Sequence, residues 1–342
     1  MTSISRKSKA VLMYCSLAAY IIQVNHNFVQ RAAVIERERM LSTDLGNGQC
    51  ELHPTHKIAA AEGAQRSLLV SFPGSGKRFT YTVIEGLTDS APGDDWGFSG
   101  NDNALHIKSS YPHHEGTWSW GDKLDQTLFL IRNPRWALPS YHSVRFELDF
   151  ASNWAESFSR VGFTYKERAP VESWESWRDE MFDMEFQNWV DMINFWMKGG
   201  KYPDGSTDPH CVSDLVCKPK IVIDFDTFFN EHPTIDFFRL GQVLDATPNV
   251  EVINAQARAC ILDAVWDTKN HNGGRDGNGP PANSKRFTAA QLLTMKNSIE
   301  NLISEYTTWK DNGDLVAEQL VHLLTEYKTH INAEYEFESD ME

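Results

Sequence analysis

The stretch Ser71-Phe-Pro-Gly-Ser-Gly-Lys-Arg78 combines two glycines, a serine hydroxyl and two cations directly after the apolar run Ser67 to Phe72. Those residue types in that order suit a phosphate-binding loop. A buried strand delivers the chain to a tight turn, the glycines let backbone approach an anion, and free N–H groups at a helix start point towards it. The run is near the pattern G-x-x-x-x-G-K-[ST], whose last hydroxyl ligates Mg²⁺, but departs at both ends. Ser71 stands at the first glycine position and Arg78 at the hydroxyl position. The loop therefore reads as an anion site with no need of magnesium, to which Lys77 and Arg78 add charge.

A second group follows at Leu130-Ile-Arg-Asn-Pro-Arg-Trp-Ala-Leu-Pro-Ser-Tyr141. Arg132 ends an apolar run and Asn133-Pro134 starts a helix, which puts Ser140 about two turns further on, on the same face. An arginine at the carboxyl edge of a strand, beside a phosphate loop, can fork onto a second phosphate. Between the two groups lie Lys108, Ser110, His113, His114 and Glu115. A histidine there offers a base with a near-neutral pKa.

The elements that must hold these residues alternate between strand and helix. Strands are expected at 67–72, 104–107, 128–131 and 220–225, and helices at 80–87, 134–147, 173–198, 233–245, 251–265, 288–306 and 313–329. In the long helix, Trp174, Trp177, Met181, Met184, Trp189, Ile193 and Trp196 recur at helical spacing and form a core stripe. The Gly- and Asn-rich run 271–284 reads as a loop, and the acidic tail from Glu334 as frayed. Alternation of this kind implies a parallel sheet covered by helices on both faces, an α/β fold.

The 342 residues carry a formal net charge of −15, the wrong sign for a nucleic-acid binder, and show no basic stripe. Arg6, Lys7 and Lys9 precede the uncharged run Ala10 to Val24. As a helix that run is about 22 Å long, between a signal peptide and a full span. The basic flank makes it a type II signal-anchor, with cleavage near Ser16, Ala18 and Ala19 as the alternative. Either route puts the remainder in a secretory compartment, where disulfides are permitted. Cys211 and Cys217 flank a short loop and are the natural local pair, which would leave Cys50 with Cys260. A zinc site using His210 and Cys211 is disfavoured by the Cys-x5-Cys spacing, so no metal is expected. The organisation expected is a tail 1–9, an anchor 10–24, a stem 25–65, a single domain 66–330 and an acidic tail 331–342.

Taken together, the two phosphate-binding groups resemble the sulfotransferases that use 3′-phosphoadenosine 5′-phosphosulfate (PAPS), with closest likeness to the sulfotransferase domain of WSC-domain-containing proteins. The resemblance rests on Ser71-Phe-Pro-Gly-Ser-Gly-Lys-Arg-Phe79, on Arg132 with Ser140 eight residues on, and on Lys108-Ser-Ser-Tyr-Pro112 between them. It extends through the Trp-rich helix, Lys220 to Phe225 and Arg286-Phe-Thr288, over about residues 66–308. It implies a P-loop-type sheet and a single catalytic domain behind the anchor. Gly74, Ser75, Gly76, Lys77, Arg78 and Phe79 would hold the 5′-phosphosulfate, and Arg132 and Ser140 the 3′-phosphate. Lys108 would face the transferring group, with Ser110 and His113 beside it. The acceptor implied is a hydroxyl, by family habit that of a glycan, in the Golgi lumen. Three positions depart from the family pattern. Gly74 replaces a frequent Lys or Arg, Phe79 a Trp, and Ser110 the frequent catalytic His.

Overall fold

In the computed structural model the residues described are 66–88, 92–95, 104–118, 124, 126–152, 169–211, 217–229, 235–247, 250, 252 and 284–340. All belong to one compact unit, Cys50–Ile253 with Cys260–Glu342; the other, Met1–Gln49 with Asn254–Ala259, lies outside them. The expected anchor, stem and Cys50–Cys260 pair, the 251–265 helix except residue 252, and the 271–284 loop except residue 284 also fall outside the described residues. Among the described residues no helix is long and apolar enough to cross a membrane.

Five strands form one all-parallel sheet. They are β1 (Ser67–Val70), β2 (Pro92–Asp94), β3 (His106–Ser109), β4 (Gln126–Ile131) and β5 (Pro219–Asp224), in spatial order β2-β3-β1-β4-β5. Register aligns Val70 with Ser109 and Phe129, and Ile131 with Asp224. The helices are α1 (Lys77–Thr88), α2 (Pro134–Leu148), α3 (Val171–Met197), α4 (Ile235–Asp245), α5 (Ala289–Asp311) and α6 (Leu315–Ser339). Alternate strand residues feed two cores, as the two-residue period of a strand requires. Leu68, Val70, Phe129, Ile131 and Val222 pack under α2, α3, α5 and α6. Leu69, Leu128, Leu130, Ile221 and Ile223 pack under α1 and α4. Helices thus cover both faces, and the parallel α/β expectation holds.

Local chemistry explains the boundaries. Asn133 caps α2 by accepting the Arg135 N–H at 3.0 Å, with Pro134 as the first helical residue. Thr288 and Gln291 close a capping box on α5, and Asp314 accepts the Val316 and Ala317 N–H groups at the start of α6. On the outer edge of β5, the Val222 N–H donates to the side-chain oxygen of Gln319 on α6 at 3.0 Å.

Four expectations need correcting. The strand expected at 104–107 lies two residues later, at His106–Ser109, and β2 was not anticipated at all. The α3 stripe keeps Trp174, Trp189, Ile193 and Trp196 buried but leaves Met184 46% exposed, with Phe182, Glu185 and Phe186 buried in mid-helix. The tail from Glu334 does not fray: α6 continues to Ser339, and Glu334 pairs with the buried Arg135. Residues 331–339 are therefore part of the folded unit. Finally, α1 starts at Lys77 rather than Thr80, so Lys77 and Arg78 belong to its first turn.

Among the cysteines, Cys211 and Cys217 form the expected disulfide. Three residues before Cys211, Asp208 accepts hydrogen bonds from the hydroxyls of Tyr111 and Tyr202. Exposed His210 stacks on Trp118 with ring centroids 4.5 Å apart.

Candidate functional site

The strand order creates a crevice at the carboxyl ends of β1 and β4. From β1 the chain turns through α1 towards β2 on one side; from β4 it turns through α2 towards β5 on the other. Neighbouring strands whose connections diverge in this way leave a cleft in which ligands of open α/β sheets bind. The loop Ser71–Gly76 and Arg132 both open into it.

Two glycines set the loop's path. Gly74 has φ +83°, and a Cβ there would overlap the Ala137 carbonyl oxygen of α2. Gly76 has φ +80°, and a Cβ there would overlap the Phe225 ring beyond β5. Both the left-handed backbone and the lack of space demand glycine. The loop closes with Ser75 N–H donating to the Phe72 carbonyl at 3.2 Å, and the Thr80 N–H bonds back to Gly76 at 3.1 Å. The N–H groups before Thr80 sit at the helix start, where no intrahelical acceptor exists. Among the described residues, the hydroxyls of Ser71 and Ser75 are buried without a hydrogen-bond partner. A buried, unbonded hydroxyl costs free energy unless a ligand or water completes it. An oxyanion ligand fits that requirement.

Cations line both sides of the loop. On the β3 side the Lys77 ammonium donates to the Ser110 hydroxyl. Desolvation pulls Lys77 down to about 8; Asp95 partly offsets this, while Lys108 and Arg78 push the same way. Lys108 is also lowered by desolvation, with Asp94 3.9 Å away acting against it, and its ammonium lies 4.7 Å from the centre of the Tyr81 ring. On the β4 side Arg132 donates from Nε to Asp226 at 3.0 Å and from Nη1 to the Gly74 carbonyl at 3.1 Å. Its guanidinium stacks 4.8 Å from the centre of the Phe225 ring. The structure thus brings Gly74, Ser75, Gly76, Lys77, Arg78, Lys108, Ser110 and Arg132 together around one crevice. Ser140 is half-buried on α2, next to the turn against which Gly74 packs, and Phe79 packs on Phe225 with centroids 6.0 Å apart.

His113 is placed differently. It is buried beneath Phe72, its ring 5.2 Å from that ring. Nδ1 accepts the Glu115 N–H at 3.1 Å, so Nε2 carries the proton and donates it to Glu185 at 2.9 Å. Desolvation lowers His113; the same burial would raise Glu185, but hydrogen bonds from His113 and Asn188 outweigh it and hold the carboxyl low. The pair is therefore neutral imidazole and carboxylate, with neither ring nitrogen open to a substrate proton. The tautomer also argues against a metal at His113, His114 and Glu185, whose ligand atoms cluster within 4.8 Å. A cation on Nε2 would have to displace the proton that already serves Glu185.

Several site residues escaped sequence reasoning. Asp94 ends β2 and Asp95 follows it, both buried, and Asp95 accepts from the Ser109 hydroxyl at 2.9 Å and the Ser110 N–H at 3.2 Å. An adjacent acidic pair was the available signal, hidden in a segment with no strand periodicity. Glu115, which the sequence already groups with His113 and His114, ties the loop after β3 to α2 instead, accepting from Tyr141 at 3.0 Å and Arg145 at 2.7 Å. Phe225 stands in the sequence reading only as the end of a strand, and Asp226 lies just beyond it. In comparisons, the chain matches no protein-family profile, no curated protein and no solved structure.

Proposed function

We propose that this protein is a PAPS-dependent sulfotransferase, moving a sulfuryl group to a hydroxyl, that of a glycan by family resemblance. One observation carries the reading. A glycine loop at the β1/β4 cleft joins a helix start, buried unbonded serine hydroxyls and cations on both flanks, with Arg78 where a magnesium-ligating hydroxyl would stand. A P-loop kinase would need that hydroxyl.

The residues present suit the nucleotide. The loop N–H groups from Gly74 to Arg78, the Ser75 hydroxyl and Lys77 would hold the 5′-phosphosulfate; Arg132 and Ser140 would hold the 3′-phosphate. PAPS supplies an activated sulfuryl group with a phosphate leaving group. Sulfuryl transfer, like phosphoryl transfer, asks the protein for in-line positioning and electrostatic stabilisation. Lys108 would offset negative charge developing on the donor's leaving phosphate. Lys77, kept in place by Ser110, shares that task. His113 holds the loop after β3 rather than taking a proton. Asp94, beside Lys108, is the carboxylate assigned to accept the acceptor's proton as its oxygen bonds to sulfur. The products are the sulfate ester and adenosine 3′,5′-bisphosphate. In this reading residues 10–24 anchor the chain as a single-pass type II protein of the Golgi membrane, with the folded unit in the lumen.

Calorimetry on the full chain in mild detergent tests the cofactor. Adenosine 3′,5′-bisphosphate should bind without metal, more tightly than ATP with Mg²⁺, and Arg132→Ala should weaken it by on the order of 2–5 kcal/mol. Preference for ATP, or an indifferent variant, refutes the assignment. The engaged nitrogens of His113 favour one second reading, a nucleotide-binding protein without turnover. It predicts the same binding but no labelled sulfate transferred to any glycan acceptor.

A further inference from the structure

Arg132 is held by three contacts, and two come from the residues just after β5. Phe225 lies beneath its guanidinium, Asp226 takes its Nε–H, and the Gly74 carbonyl takes Nη1–H. Asp226 is itself fixed. Its N–H donates to Asp224 Oδ1 at 3.2 Å, and Asp224 Oδ1 also accepts the Tyr327 hydroxyl of α6 at 2.6 Å. Asp224 and Tyr327 are both buried, so this chain of hydrogen bonds runs from the C-terminal helix through the sheet edge to the glycine loop. An arginine side chain left free loses rotamer entropy when a ligand orders it, so ordering it beforehand favours binding.

We propose that Asp226, braced by Asp224 and Tyr327, is a positioning residue for the anion site: it aims Arg132 across the cleft and, through it, pins the Gly74 carbonyl. Asp226 touches no ligand in this scheme. Its role is to accept a hydrogen bond, which an amide oxygen can also do; its negative charge works against anion binding. The proposal rests on the assignment of Arg132 to a nucleotide phosphate for its affinity arm only.

Two readouts separate the cases, both on the full chain in mild detergent. The first needs no nucleotide: proton exchange of the Arg132 Nε–H by nitrogen-15 NMR, assigned with Arg132→Lys. Exchange should be slow in wild type and Asp226→Asn, and at least tenfold faster in Asp226→Ala; equal exchange in all three overturns the proposal. The second is calorimetric affinity for adenosine 3′,5′-bisphosphate. Asp226→Ala should lose about tenfold, Asp226→Asn should stay within about threefold, and Tyr327→Phe should fall between. A gain in affinity in both Asp226 variants would make the residue an electrostatic brake and overturn the proposal. Parallel losses in Asn and Ala that track melting temperature would reduce it to a fold contact, also overturning it. If wild type binds no nucleotide while the exchange pattern holds, the positioning stands and the sulfotransferase reading falls.

Discussion

Acid should unfold this protein by way of a histidine outside the site. His106 begins β3 and is 2% exposed, and among the described residues neither ring nitrogen has a hydrogen-bond partner. Burial pulls it down to about 4, against 6.5 for an exposed histidine. The folded form keeps the ring neutral while the unfolded chain takes up a proton below pH 6.5. Stability is therefore full above pH 6.5 and lost as pH falls towards 4, where the folded form also protonates. The gap of about 2.5 units corresponds to about 3.4 kcal/mol, lost at about 1.4 kcal/mol per pH unit, so roughly 2 kcal/mol is gone by pH 5. Urea unfolding followed by tryptophan fluorescence from pH 7.5 to 4.5 reads this directly. His106→Gln cannot titrate, so its stability should fall less steeply than wild type by about 1.4 kcal/mol per pH unit below pH 6. His142, also lowered to about 4 by burial with Lys285 adding to the effect, supplies a similar slope that both proteins keep. Parallel curves for wild type and His106→Gln would refute the reasoning.

Gly74→Ala should cost about 1–2 kcal/mol for the left-handed backbone alone, before the overlap with the Ala137 carbonyl oxygen is relieved. Because relief means moving the loop off α2, affinity for adenosine 3′,5′-bisphosphate should drop at least tenfold while the far-ultraviolet circular dichroism stays unchanged. Glu334→Ala leaves the buried Arg135 guanidinium without its carboxylate and should destabilise the fold by about 3 kcal/mol in urea titration. A change within 0.5 kcal/mol would return the region after residue 330 to the status of a surface tail.

What could be read from the sequence was local. Strand β1, the glycine loop and the Asn133-Pro134 helix start are each specified by residues within a few positions, so both halves of the candidate site were visible. Their meeting was inferred from a resemblance, since strand order depends on contacts distant in sequence. Pro92–Asp94 has neither length nor apolar character; it becomes a strand only because β3 pairs with it, and Asp94 and Asp95 were missed along with it. His113 carries the residue type of a base, but only the fold brings Glu185 against it, from a helix whose tryptophans drew attention to packing. Glu334 and its neighbours are acidic enough to suggest a loose end. Their partner, Arg135, lies almost two hundred residues earlier.

The Gln319 amide that meets Val222 on β5 has a consequence for how copies of this protein coexist. A final strand with unpaired N–H and C=O groups is a template on which another chain can add a strand. Here a side chain from α6 already occupies one rung of that template, and the body of the helix lies against the same strand. An incoming strand would have to displace that side chain before it could pair at Val222. The C-terminal helix is thus also a guard against edge-to-edge fibre growth, and shortening the chain before residue 319 would remove that guard together with the helix.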